Sequence, residues 1–149
     1  MKLFGFLRKK KNDDDDSRIA ELIDSLVIML QTQMVAVPKT IRIHDGQGRM
    51  NRKAVGYVYG FIEVALRTIG KDMSGPEMGF PVAYHVFRHL FPGEENEIVE
   101  FLIEHIGKDE TVMLGCTIGG QQYFDFMNSA SKDFDSMGLG RLLLETEER

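Results

Sequence analysis

Apolar side chains recur at steps of three and four residues through most of the sequence, and this spacing places them on one face of an α-helix. The first such stripe falls within residues 17–36 and comprises Ile19, Leu22, Ile23, Leu26, Met29, Leu30 and Met34. It ends before Pro38, because a residue that precedes proline is disfavoured in the helical conformation. The same spacing predicts further helices over residues 51–68, 76–91, 94–105, 110–130 and 137–147.

These segments predict an all-α protein, a single compact bundle of about five to six helices built from helical hairpins. A short β-hairpin near residues 40–50 is the one β element that the sequence suggests, since Asp45-Gly46 is a strong turn signal. The length of 149 residues suits one domain. We place that helical domain at residues 17–149, after a flexible charged tail of residues 1–16.

Composition excludes several classes of protein. The net charge of -5 argues against a general nucleic-acid-binding protein, which usually presents a basic face. The single cysteine, Cys116, cannot form an intramolecular disulfide, so the reducing cytoplasm is the expected compartment. We interpret Cys116 as a small core residue. No apolar run approaches the ~20 residues that a membrane-spanning helix needs.

The N-terminal tail allows two interpretations. Residues 1–11 combine apolar with basic side chains, and acidic residues follow at positions 13–16. The apolar groups could enter a lipid surface while the lysines meet anionic headgroups, which would make the protein a peripheral membrane adaptor with a weak membrane contact. The balanced charges favour the other interpretation, a flexible and solvated tail.

Two of the predicted helices carry glycines at matching positions. The two stripes share the spacing i, i+4, i+7 and i+11 and consist of Gly56, Gly60, Glu63 and Arg67, and of Gly115, Gly119, Gln122 and Phe126. A glycine inside a helix costs about 1 kcal/mol relative to alanine. Paired glycines on one stripe therefore indicate that another element approaches closely. We predict that these two helices cross, either within one chain or between the chains of a dimer.

The crossing also defines a candidate ligand site, because glycines could leave room for a small molecule. The candidate ligand-binding residues are Gly56, Gly60, Glu63, Arg67, Gly115, Gly119 and Gln122. Further polar groups could come from Gln121, Tyr57 and Tyr59. The pattern favours the simpler interpretation, that the glycines serve packing alone.

A metal site is the other candidate, at His85 and His89, which lie one helical turn apart. The pair projects away from the apolar stripe of its helix, and a site needs third and fourth ligands. Glu104 on the next helix could contribute, but the sequence contains no Glu-x-x-His or His-Glu-x-x-His motif. The pattern favours a solvated or partner-facing pair of histidines over a metal site.

These observations favour a non-enzymatic protein over an enzyme, because no catalytic constellation or phosphate-binding loop is found. No cofactor is implied. We expect a cytoplasmic helical module that works through protein–protein contact and forms a homodimer. One alternative is a small metal- or ligand-binding protein, which includes an enzyme, that uses Glu63, His85 and His89. The other is the peripheral membrane adaptor described above.

Overall fold

Six α-helices account for most of the residues that the computed structural model describes, which are 13–44, 48–70, 75–128 and 137–147. They are α1 (Asp13–Gln33), α2 (Arg52–Arg67), α3 (Pro76–Leu90), α4 (Glu95–His105), α5 (Glu110–Met127) and α6 (Gly138–Glu147). The predicted all-α bundle is confirmed. In the described part of residues 40–50, the predicted hairpin is reduced to a single antiparallel bridge between His44 and Met50.

The first helix begins earlier than the predicted domain boundary. α1 starts at Asp13, four residues before Ser17. The rest of the predicted tail lies outside the described residues, and so does the stretch 1–11 for which membrane contact is predicted. Of the helices that the structure describes, none has the length and apolar character needed to cross a membrane.

α2 is the central helix, and each of the other five described helices contacts it. Its apolar face, represented by Val55, Val58 and Phe61, is fully buried. The opposite face carries the glycines and is covered by α5, which forms the most extensive helix pair in the bundle with α2. Burial on nearly all sides is the expected position of a helix that has apolar or small residues around its whole circumference.

The predicted close contact between the two glycine-bearing helices is present and lies within one chain. A Cβ atom added to Gly60 would lie 2.6 Å from the carbonyl carbon of Cys116 and would overlap its oxygen. A Cβ atom added to Gly119 would lie 2.7 Å from the carbonyl carbon of Tyr57, with the same overlap. The backbones of α2 and α5 are therefore closer together than any residue with a side chain would allow at these positions.

The glycine contacts also define the relative direction of the two helices. Gly115 faces the carbonyl of Lys53, and Gly119 faces that of Tyr57 one turn later on both helices. Contact positions that advance in the same direction along both helices mean that α2 and α5 run parallel. Small residues at these positions permit Cα–H···O contacts between the two backbones.

Asp109 fixes the N-terminal end of this parallel pair. Its Oδ1 accepts hydrogen bonds from the backbone N–H groups of Thr111 at 2.8 Å and Val112 at 3.1 Å, which is an N-cap for α5. Its Oδ2 accepts a hydrogen bond from Arg52 Nη1 at 2.9 Å, and Arg52 is the first residue of α2. One carboxylate therefore holds both helix N-termini together.

Asp109→Ala is expected to lower the free energy of unfolding at neutral pH by about 1–2 kcal/mol, the usual value of an N-cap side chain. The hydrogen bond from the Val112 backbone is the main reason that the pKa of Asp109 lies below its ordinary value of 3.8. A depressed pKa stabilises the fold above the unfolded-state value, and that stabilisation is lost as the pH falls through the folded-state value.

Urea unfolding at pH 7 and near pH 2.5 checks this expectation, and the difference in stability between the two pH values should be smaller in the variant than in the wild type. Asp24→Ala, which removes an exposed carboxylate from α1, is the matched control and should match the wild type at both pH values. An unchanged pH dependence in Asp109→Ala would contradict the capping role.

Two buried polar side chains attach α6 to the rest of the bundle. Gln33 Oε1 accepts hydrogen bonds from the Tyr57 hydroxyl at 2.7 Å and from the Leu139 backbone N–H at 2.9 Å. Asn51, the N-cap of α2, donates through Nδ2 to the carbonyl oxygen of Leu142 at 3.0 Å. The position of α6 therefore depends on directional contacts as well as on its apolar face.

Candidate functional site

An open groove of about 440 Å³ lies between α2 and α5, beside the glycine contact. We call it the α2–α5 groove. Its lining residues are Gly60, Glu63, Val64 and Arg67 on α2 and Cys116, Thr117, Gly120, Gln121 and Phe124 on α5. It therefore includes three of the predicted ligand-binding residues, Gly60, Glu63 and Arg67.

The other predicted ligand-binding residues do not line this groove. Backbone atoms of the facing helix occupy the space beside Gly56, Gly115 and Gly119, so the observed role of these glycines is the helix contact. Gln122 is partly buried next to the contact, whereas its neighbour Gln121 is exposed and lines the groove.

The two tyrosines that could supply polar groups point elsewhere. Tyr57 is fully buried and its hydroxyl donates to Gln33. Tyr59 is also buried and its ring stacks on Phe80, with the ring centroids 5.3 Å apart. Burial, together with the charge of Glu63, raises the pKa of the Tyr59 hydroxyl above its usual range, so this group stays protonated.

Glu63 is the single carboxylate in the lining of the groove. It is partly buried, and burial raises the pKa of this carboxyl, while the positive charge of Arg67 offsets part of the rise. Among the described residues, no hydrogen bond or ion pair reaches the Glu63 carboxylate. Within the described part of the chain, Glu63 is therefore an acceptor without a donor at the edge of the helix contact.

Cys116 contributes an uncharged thiol to the groove. Burial raises the pKa of this thiol to about 12, and the charge of Glu63 adds to the rise. The thiolate is the nucleophilic form of cysteine, so the Cys116 thiol is poorly reactive at neutral pH. Its surroundings agree with the interpretation of Cys116 as a packing residue, since it lies against the core.

The histidine pair lies on α3 and does not line the groove. His85 is partly buried and makes an edge-to-face contact with Tyr84, whereas His89 is exposed. Burial is the main cause that lowers the pKa of His85, and the charge of Arg88 adds to the effect. In the part of the chain that the structure describes, no three His, Cys, Asp or Glu side chains are grouped so that they could hold a metal ion.

The exposed side of α5 is a second candidate surface, and it is apolar. Of the eight large hydrophobic side chains that are exposed in the described residues, five lie on α5. Leu114, Phe124 and Met127 are each more than half exposed, and no charged residue occurs between Glu110 and Asp125. The absence of charge along this stretch is visible in the sequence and could have identified the surface. The helical periodicity alone did not identify it.

No known protein family, curated protein or solved structure matches this chain. Function is therefore inferred from the geometry of the molecule.

Proposed function

We propose that the protein is a non-enzymatic helical module that works through protein–protein contact and forms a homodimer through the exposed side of α5. This surface, the α5 outer face, comprises Met113, Leu114, Thr117, Gln121, Phe124 and Met127, which share one side of the helix at 100° per residue. The observation that carries the proposal is an exposed, uncharged helix face on an acidic protein. The expected compartment remains the cytoplasm.

Burial of this face would be energetically favourable. Full burial of a Leu, Phe or Met side chain contributes about 1.5–3 kcal/mol, and half of the Leu114, Phe124 and Met127 surface is available for it. A helix of this length spans about 27 Å, so the contact is small, and a dissociation constant on the order of 1–100 µM is expected.

A second copy of the chain is the partner that the charges favour. Two molecules with a net charge of -5 repel each other, and the stretch of α5 between Glu110 and Asp125 is a surface without charges of its own. The same face presents an exposed ring, Phe124, at the edge of the α2–α5 groove. A two-fold axis allows each copy to offer both features to the other, as an isologous interface requires.

Sedimentation equilibrium of the wild type and of charged variants tests this proposal. Leu114→Glu and Phe124→Glu should each weaken the dimer at least about 100-fold, because an unpaired carboxylate would be buried in the contact. Ile28→Glu is the matched control, since Ile28 is 64% exposed on α1, and it should dimerise like the wild type. Thermal unfolding followed by circular dichroism verifies that all three variants are folded.

Two results would contradict the proposal. A wild type that remains monomeric at all accessible concentrations would exclude the homodimer. A dimer that survives both α5 substitutions would show that another surface forms the contact.

A further inference from the structure

Apart from Arg67, the polar groups that line the α2–α5 groove offer mainly hydrogen-bond acceptors. The Thr117 hydroxyl donates to the carbonyl oxygen of Met113 at 3.1 Å, which leaves its own oxygen as an acceptor. The Gln121 amide nitrogen donates to Asp125 Oδ1 at 3.0 Å, and its carbonyl oxygen receives no donor from the described residues. The Glu63 carboxylate adds two further acceptor oxygens.

Glu63 is the negatively charged member of these acceptor groups. A carboxylate that is partly removed from water without a hydrogen-bond donor is unfavourable, and a donor or a cation placed beside it relieves that cost. No such group reaches Glu63 among the described residues. The groove therefore combines the Glu63 carboxylate with acceptor oxygens that receive no donor from the described residues, while the exposed Arg67 supplies the opposing charge in its lining.

Arg67 does not fill this role in the structure. It is exposed, belongs to the last turn of α2, and makes no ion pair within 4 Å of Glu63 among the described residues. Its positive charge interacts favourably with the C-terminal end of the helix dipole. The position next to the Glu63 carboxylate is open to a ligand.

The apolar part of the groove suits a flat group. Gly60 and Gly120 line the groove without projecting side chains into it, and Val64 provides an apolar wall. Phe124 at the edge of the groove is more than half exposed, so its ring face is available to a cation.

We propose that the α2–α5 groove binds a small planar cation, an amidinium or guanidinium group, with Glu63 as its carboxylate partner. The fork of N–H groups on such a cation matches a carboxylate in a bidentate arrangement. Its remaining N–H groups can donate to Thr117 and Gln121, and its flat face can lie against Phe124. This assignment goes beyond the dimer and does not depend on it. Because the two surfaces share Thr117, Gln121 and Phe124, the cation and the second copy would compete for the groove.

Benzamidinium and its neutral counterpart benzamide, titrated into the full chain and followed by calorimetry and NMR, test the assignment. The Leu114→Glu background keeps the protein monomeric if the dimer proposal holds, and Leu114 does not line the groove. Benzamidinium should bind at least about tenfold more tightly than benzamide, because only the amidinium carries a positive charge and has N–H groups on two nitrogens for the Glu63 carboxylate. Binding should weaken as the pH is lowered through the pKa of Glu63, since protonation removes its charge.

Three variants locate the interaction. Glu63→Gln should reduce the affinity for benzamidinium to that of benzamide, and Arg67→Gln should raise it, because a competing positive charge is removed. Glu104→Gln, an exposed position on α4 outside the groove, is the control and should bind like the parent. Equal binding of the two probes, full binding by Glu63→Gln, or no binding of benzamidinium would overturn the proposal, whatever the oligomeric state.

A second pair of probes distinguishes the source of the cation. N-acetylargininamide presents the guanidinium as a protein side chain does, and methylguanidinium presents it as a free small molecule. Tighter binding of N-acetylargininamide assigns the groove to an arginine side chain of another protein. Equal or tighter binding of methylguanidinium assigns it to a free small molecule, and both results support a cation site at Glu63.

Discussion

Gly60→Leu is expected to lower the free energy of unfolding by more than about 4 kcal/mol, a large fraction of the 5–15 kcal/mol that stabilises a typical domain. The Cβ atom alone would overlap the carbonyl oxygen of Cys116, which belongs to the backbone of α5 and cannot rotate away. The two helices would have to separate along the most extensive helix contact in the bundle. Denaturant unfolding measured by circular dichroism gives the free energy of unfolding directly.

Gly60→Ala makes the same test sharper because the sign of its effect is diagnostic. Alanine is the better helix former by about 1 kcal/mol, so this variant would be more stable than the wild type if nothing approached Gly60. With the contact present, we expect it to be less stable by about 1–3 kcal/mol or more. Gly70→Ala is the control, since a Cβ atom there meets nothing within 4 Å. A Gly60→Ala variant that is more stable than the wild type would contradict the close contact between α2 and α5.

Gln33→Leu is expected to lower the free energy of unfolding by about 2–4 kcal/mol, because two buried donors lose their acceptor. These are the Tyr57 hydroxyl and the Leu139 backbone N–H. The Gln33 amide nitrogen has no hydrogen-bond partner among the described residues, so its removal offsets part of the loss. Amide hydrogen exchange should also become faster in α6, since the N-terminal end of that helix is no longer held.

Gln31→Leu is the matched control for this experiment. It makes the same substitution on the same helix, at an exposed position. Its stability should stay within about 0.5 kcal/mol of the wild type, as is usual for surface changes. Equal effects of the two substitutions, or unchanged exchange in α6 of Gln33→Leu, would contradict the role of Gln33.

The sequence predicts the helices closely because the signals for a helix are local. The pattern over residues 51–68 corresponds to α2 at Arg52–Arg67, and the Asn51 side chain caps its first turn. The glycine contact was also predictable. Glycine in a helix interior is unfavourable locally, so its repeated use at Gly56, Gly60, Gly115 and Gly119 points to a compensating contact elsewhere in the fold.

The composition of the candidate site was only partly predictable. Glu63 and Arg67 follow from the glycine stripe, but neighbouring residues on a helix differ by 100° in direction. The structure shows that Gln121, and not Gln122, lines the groove. The spacing of the glycine stripes does not predict whether the two helices run parallel or antiparallel, because their direction depends on the residues that connect them.

Gln33 is the buried polar residue that a closer use of the periodicity would have found. It lies three residues after Leu30 and seven after Leu26, both of which are fully buried on the apolar stripe of α1. A polar side chain on such a stripe requires a hydrogen-bond partner. What the stripe could not predict is that the partners come from α2 and α6.

Native mass spectrometry of the untagged chain, purified without chelator, tests the central claim most directly. The homodimer proposed at the α5 outer face predicts a species of twice the chain mass of 17.0 kDa, with no additional metal, whose population rises with protein concentration. The same spectrum of Leu114→Glu should show the monomer alone. A wild type seen only at 17.0 kDa, or a Leu114→Glu variant that remains dimeric, would contradict the account.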